Sequence, residues 1–250
     1  NIDYEIKNIE DIQNIPISDR TNLYDWNFEK CPTKPKYIQA TSGTTSKKSL
    51  IFFDEDAKNA VIDRYNQIFK IYGLNDDDII LNFFNYGFAG HGMDVEYACK
   101  NINCTMIPIG DAKEFLNKLG LKIVNKEIKP NKAIMFTGSA YNRLSLIRTN
   151  EIESIIVGGQ YLHPFYREKI KNEFNVKVYN GFGMSEFGAI GIEEFPGENR
   201  FKLVDNLIYE VLKEDNKTDF NGVGELIITD PYNLCTKMIR YLTGDIVKLD

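Results

Sequence analysis

The chain has 250 residues, 36 acidic against 30 basic, for a net charge of −6. That length suffices for one large domain or two small ones with a core of their own, and an acidic excess without a basic stripe argues against nucleic-acid or acidic-membrane partners. No uncharged run reaches the roughly 18 residues of a membrane span and no signal-peptide pattern opens the sequence, so a soluble, cytoplasmic protein is expected.

In chain order, residues 1–36 begin with Asn rather than Met and are rich in Asn, Asp, Lys and Ile. They read as a leader from inside a longer protein, with Ile9, Ile12, Ile15 and Leu23 packing on the body that follows. Tyr37-Ile38-Gln39-Ala40 and Leu50-Ile51-Phe52-Phe53 are strand-like runs flanking a loop with Thr41, Ser42, Gly43, Thr44, Thr45, Ser46, Lys47, Lys48 and Ser49. Gly43 lets backbone N–H groups turn toward an anion, the hydroxyls add donors and the lysines add charge-assisted ones. The loop therefore suits phosphate, although a solvated hairpin tip has similar composition. It is not a Walker loop, because Lys47 stands where the second glycine should be.

Asp54 can cap a helix whose Ala57, Val61, Tyr65, Ile68 and Tyr72 share one face, and Gly73 can end it. The acidic run Asp76-Asp77-Asp78 reads as a solvated turn before the strand Ile79-Ile80-Leu81. Further helices are expected over 112–129, 143–150 and 166–174, each followed by a strand, at 132–136, 155–157 and 176–179. Such alternation implies a mostly parallel, helix-covered sheet with ligand at the carboxyl ends of its strands. After Gly191 the helical signal fades and the remainder reads as β-rich. The four cysteines have no CxxC spacing, and His91 and His163 stand apart, which favours buried reduced thiols over a zinc site or disulfide framework.

Two later segments change the weight of the loop: Tyr179-Asn180-Gly181-Phe182-Gly183-Met184-Ser185-Glu186, read as a Gly-rich turn, and Arg240-Tyr241-Leu242-Thr243-Gly244-Asp245. With Thr41-Ser42-Gly43-Thr44-Thr45, and in this order, they resemble the TSGTTG, YGxTE and Y-x-TGD signatures of the adenylate-forming superfamily of acyl-CoA synthetases, luciferases and peptide-synthetase adenylation domains. The stretches Asn85–Phe88, Cys104–Ile109, Phe136–Ser139, Ile155–Leu162 and Gly222–Leu226 bring the likeness closest to the phenylacetate-CoA ligase branch, over about Tyr37 to Asp250. Departures are Ser46 for the usual glycine, Lys48 for proline and Phe182 for tyrosine.

The resemblance implies an α/β fold, the large N-terminal domain of an adenylate-forming enzyme. Its parts would be the leader 1–36, an α/β nucleotide- and acyl-binding region over 37–190 and a β-rich subdomain over 191–250. The small C-terminal domain with its catalytic lysine would be absent, since the sequence ends at Asp250. It implies ATP-dependent activation of a small-molecule carboxylate, aryl or acyl, to an acyl-adenylate, with coenzyme A or the thiol of a carrier protein as acceptor. Thr41, Ser42, Gly43, Thr44, Thr45 and Lys47 would hold phosphates, Gly159, Gln160, Gly181, Phe182 and Gly183 would flank and stack on adenine, and Asp245 would accept the ribose hydroxyls. Glu186 would bind Mg2+ and Ser185 would donate to the α-phosphate. Tyr86, Gly87, Phe88 and Ala189 would line the acyl pocket, with Asn85 where amino-acid-activating relatives carry aspartate, which favours a non-amino acid. The loop, Glu186 and Asp245 are expected to converge on one cleft. An acyl-protein synthetase and a nucleotide-binding module without catalysis are the alternatives.

Overall fold

The computed structural model describes residues 7–24, 26–41, 49–110, 128–147 and 151–250. The chain forms two compact units, one of residues 61–204 and one of residues 1–60 with 205–250. The boundaries expected at 36/37 and 190/191 do not coincide with this division.

Residues 61–204 are built on a seven-stranded sheet of order β4-β3-β5-β6-β7-β8-β9. Its strands are β3 (Ile79–Asn82), β4 (Thr105–Pro108), β5 (Lys132–Phe136), β6 (Ser154–Gly158), β7 (Lys177–Met184), β8 (Gly188–Glu193) and β9 (Phe201–Leu203). The first five in spatial order run parallel, and β8 and β9 are antiparallel additions. This is the mostly parallel sheet expected from the alternation. The residue period of two divides the faces. Ile155, Val157, Met135 and Val178 join Ala140, Leu144 and Ile147 of α4 (Ala140–Ile147) and Ile170 of α5 (Pro164–Phe174) in one core. On the other face the Tyr72 hydroxyl meets Ser154 Oγ at 2.9 Å and its ring stands edge-on to Tyr179 at 5.1 Å. Tyr72 ends α2 (Glu55–Tyr72), a helix capped as expected by Asp54, whose Oδ1 accepts from the Ala57 amide at 3.0 Å. The five apolar residues expected on one helix face are all buried.

Several expectations shift in detail. Helix α4 starts at Ala140 rather than Arg143, because Thr137–Ser139 forms a 3-10 turn with Ser139 Oγ donating to the Phe136 carbonyl. Most of the helix expected over 112–129 lies outside the described residues, and Ile128 and Lys129 are not helical. Asp78 is not part of a solvated turn: it is buried, accepting from the Asn75 amide and from Asn131 Nδ2 at 2.7 Å. The glycine-rich motif 179–184 is strand rather than turn. It pairs with β8, Gly183 opposite Ala189 and Met184 opposite Gly188, and the reversal falls on Ser185-Glu186-Phe187.

The second unit holds a hairpin of β1 (Tyr37–Ala40) and β2 (Leu50–Phe53) and a four-stranded antiparallel sheet of order β11-β10-β12-β13. The strands of that sheet are β10 (Ile208–Leu212), β11 (Thr218–Asp219), β12 (Gly222–Thr229) and β13 (Tyr241–Leu249). The leader is tied in by a Ser18–Tyr241 bridge and by Arg240, whose Nη1 donates to the carbonyls of Gln13 and Ile15 at 2.8 and 2.6 Å. Ile12 and Leu23 are buried as expected, whereas Ile9 is exposed.

Candidate active site

A small cavity of about 60 Å³ opens at the carboxyl ends of β5, β6 and β7, where open α/β sheets bind ligands. Its walls are Phe136 from β5, Ile156 and Gly158 from β6, Gly181, Phe182 and Gly183 from β7, and Gly188, Ala189 and Gly191 from β8; Tyr65 and Ile68 of α2 close it with Phe84 and His91. Of the residues singled out from the sequence, the fold thus brings Gly159, Gly181, Phe182, Gly183 and Ala189 to one wall system.

Glycine makes this close approach possible. A Cβ on Gly183 would lie 2.6 Å from the Gly188 carbonyl oxygen, and one on Gly158 would lie 2.9 Å from that of Gly181. Gly188 combines φ of +74° with a hypothetical Cβ 2.7 Å from Val61 Cγ1, so both backbone freedom and space require glycine there. Beyond β6, the Thr137 hydroxyl lies 3.2 Å from the carbonyls of both Gly158 and Gln160, fixing the path of the segment 158–160.

The reversal after β7 carries the two candidate catalytic residues. Ser185 and Glu186 are 7% and 5% exposed, so neither is a solvated surface side chain. The turn is held from below by Arg64, fully buried, whose Nη1 donates to the Phe187 carbonyl at 2.8 Å. Arg64 was not singled out from the sequence, where an arginine in an amphipathic helix reads as solvent-facing.

The segment between β3 and α3 (His91–Ile102) is organised by Asn82, another residue that sequence reasoning passed over. Fully buried at the end of β3, it donates from Nδ2 to Tyr86 Oη and to the Gly92 carbonyl, both at 2.9 Å, and its Oδ1 accepts from the Phe84 amide. The Tyr86 hydroxyl in turn points to Met106 Sδ at 3.6 Å, and burial, with Glu96 nearby, pushes its pKa up to about 12. Tyr86, Gly87 and Phe88 do not line the cavity, and Phe88 is 66% exposed. Phe84 and His91 do line it, their rings 6.0 Å apart and Phe84 4.7 Å from Phe136. Tyr65 Oη lies 3.2 Å from His91 Nδ1, and burial, with Asp94 nearby, raises the tyrosine pKa well above its ordinary value.

In the other unit, Thr41 sits buried at the base of the β1–β2 hairpin, where its hydroxyl accepts from the Ser49 amide at 3.2 Å and from Arg20 Nη2 at 3.1 Å. Ser42, Gly43, Thr44, Thr45 and Lys47 lie outside the described residues. Asp245 lies exposed on β13 after Gly244 at φ +87°, its amide donating to Thr243 Oγ1 at 3.2 Å, and partial burial of its carboxyl raises the pKa. Among the described residues no group of three or more His, Cys, Asp or Glu side chains is placed to hold a metal, and no helix is long and apolar enough to cross a membrane.

Solved structures carry this architecture. An open conformation of 2-hydroxyisobutyryl-CoA ligase, in complex with 2-HIB-AMP and CoA, superimposes with a TM-score of 0.79 over 97% of this chain at 14% identity. The chain shares that ligase fold. The inhibitor-bound N-terminal domain of FACL13 from Mycobacterium tuberculosis matches over 90% of this chain (TM-score 0.64, 16% identity), and ATP-bound MatB from Rhodopseudomonas palustris over 85% (0.63, 16%). The chain spans 61%, 60% and 45% of those three chains respectively. No family model and no curated protein matches the sequence.

Proposed function

We propose that this chain is the nucleotide- and acid-binding part of an AMP-forming acid–thiol ligase, akin in sequence to the phenylacetate-CoA ligase branch. The observation that carries the reading is the gathering of Gly159, Gly181, Phe182, Gly183 and Ala189 around one cavity at the strand ends of a ligase fold. A likeness of fold alone would leave function open, but these residues come from motifs that the superfamily devotes to adenylate and acyl group.

In this reading a carboxylate oxygen attacks the α-phosphorus of ATP and forms a P–O bond as the bond to the bridging oxygen of pyrophosphate breaks. Coenzyme A or a carrier thiol then displaces AMP from the acyl-adenylate. Such phosphoryl transfer depends on positioning and charge neutralisation. Residues 41–49 hold the leaving phosphates, Ser185 donates to the α-phosphate, Phe182 stacks on adenine and Asp245 accepts from the ribose hydroxyls. Glu186 suits Mg2+: a single buried carboxylate is enough where phosphate oxygens and water complete the shell, and the ion would neutralise phosphate charge. The absence of an acid near Asn85 supports a non-amino substrate.

The test is acid-dependent exchange of labelled pyrophosphate into ATP with a panel of carboxylic acids. Exchange that requires an acid and falls at least about a hundred-fold in Glu186→Gln supports the reading. Tight ATP binding with no exchange for any acid would instead favour a nucleotide-binding module without catalysis.

A further inference from the structure

The cavity is small and mostly apolar, and the two polar side chains among its lining residues, Tyr65 and His91, touch each other. Tyr65 stands 5% exposed on α2, with its hydroxyl 3.2 Å from His91 Nδ1; both residues line the cavity with Ile68, Phe84, Ile134 and Ile156. A tyrosine hydroxyl has one donor and two acceptor positions, and the contact with His91 uses one of the three. A polar substituent that reaches this hydroxyl can engage its remaining capacity, which an apolar group of the same shape cannot.

Size sets the second constraint. A water occupies about 10–15 Å³ on this measure of cavity volume, so about 60 Å³ admits only a handful of non-hydrogen atoms. An apolar protein cavity that takes up benzene is about 150 Å³. A Cβ added to Gly183 or Gly188 would meet the Gly188 carbonyl oxygen or Val61, and Phe84 packs against Phe136 at 4.7 Å, so the walls are built close together.

Building on the ligase reading, we propose that the substrate is a short-chain carboxylic acid of about three to five carbons bearing a hydroxyl or oxo group, with Tyr65 as the residue that selects it. Tyr65 Oη exchanges a hydrogen bond with the substituent, His91 orients that hydroxyl, and Ile68, Ile134, Ile156 and Ala189 enclose the short alkyl part. An aryl acid exceeds the space, and a purely apolar isostere leaves the tyrosine unsatisfied on that side.

The test measures kcat/KM for pyrophosphate exchange by the full-length protein to which this chain belongs, with matched pairs, 2-hydroxybutanoate against 2-methylbutanoate and 3-hydroxybutanoate against 3-methylbutanoate, and with phenylacetate. Each pair differs by a hydroxyl for a methyl at nearly constant shape. The expected result is a preference of about ten-fold or more for one hydroxy acid over its partner, with phenylacetate weaker still. Tyr65→Phe, which removes only the hydroxyl, should reduce that ratio to within about two-fold, while thermal melting confirms that the variant is folded. Equal rates within both pairs, a preference for phenylacetate, or a ratio unchanged in Tyr65→Phe would overturn the proposal and leave the ligase reading standing. Exchange with none of the acids would overturn the ligase reading and this proposal together.

Discussion

Each unit buries an arginine against a glutamate, but the two carboxylates keep different company. In residues 61–204, Glu193 takes both Nη groups of Arg167 at 2.6 and 2.7 Å and also accepts from the backbone amides of Asn180, Gly197 and Asn199. Arg167 donates further to the Val178 carbonyl at 2.8 Å. The pair therefore fastens α5 to the strand that carries the glycine motif, among residues within about thirty positions of one another. In the other unit, Glu210 accepts only from Arg240 among the described residues, through Nε and Nη2 at 3.0 Å each. Arg240 reaches across the sequence to Gln13, Ile15 and the Thr218 hydroxyl. One pair stiffens a framework that local strand–helix order already specifies, and the other joins the leader to strands some two hundred residues away.

The comparison can be broken most sharply at Arg240. Arg240→Met leaves Glu210 buried without its partner and removes the side-chain bonds to Gln13 and Ile15, so a loss of about 3–5 kcal/mol in unfolding free energy is expected from urea denaturation. Arg167→Met should cost less, about 2–3 kcal/mol, because three amide donors still face Glu193. The reverse order would show that backbone donors do not compensate a buried carboxylate here. Gly188→Ala should cost about 1–3 kcal/mol through positive φ and the clash with Val61, and the same measurement would find it neutral if the β7–β8 reversal can relax.

Asp245→Ala probes function rather than framework. On an exposed strand position, unfolding free energy should change by no more than about 0.5 kcal/mol. If Asp245 accepts the ribose hydroxyls, lost charge-assisted hydrogen bonds of about 1.5–3 kcal/mol should weaken ATP binding about ten- to a hundred-fold in calorimetry. Unchanged affinity would remove Asp245 from the nucleotide site.

These differences also explain what could be read from the sequence. Asp54, the apolar face from Ala57 to Tyr72 and Gly73 define α2 because cap, periodicity and stop agree, and the apolar runs at 79–81, 132–136 and 155–157 announce strands by composition. Glycine is a local breaker, so the motif 179–184 reads as a turn in the sequence although it forms a strand. In the folded chain β8 supplies a pairing partner, and the close approach of backbone around Gly158, Gly181 and Gly183 demands glycine. Arg64, Asn82 and the Tyr65–His91 contact stayed hidden for another reason. Their partners, Phe187, Gly92 and each other, are set by tertiary packing, and nothing in their local spacing marks them. Tyr86 and Phe88 do not line the cavity, whereas Phe84 and His91 from the same stretch of chain do, which residue type alone does not reveal.

The central claim is that the cavity beside Tyr65 receives the acyl part of an adenylate. Calorimetric titration of the chain with AMP and with the sulfamoyl adenosine analogue of 3-hydroxybutanoyl-AMP tests it most directly, since the analogue carries both parts in one molecule. Burying a short alkyl group contributes about 1.5–3 kcal/mol, so the analogue should bind about ten- to a hundred-fold more tightly than AMP, with up to about ten-fold of that gain lost in Tyr65→Phe. Equal affinity for AMP and the analogue would mean that the acyl group finds no pocket, and would contradict the account.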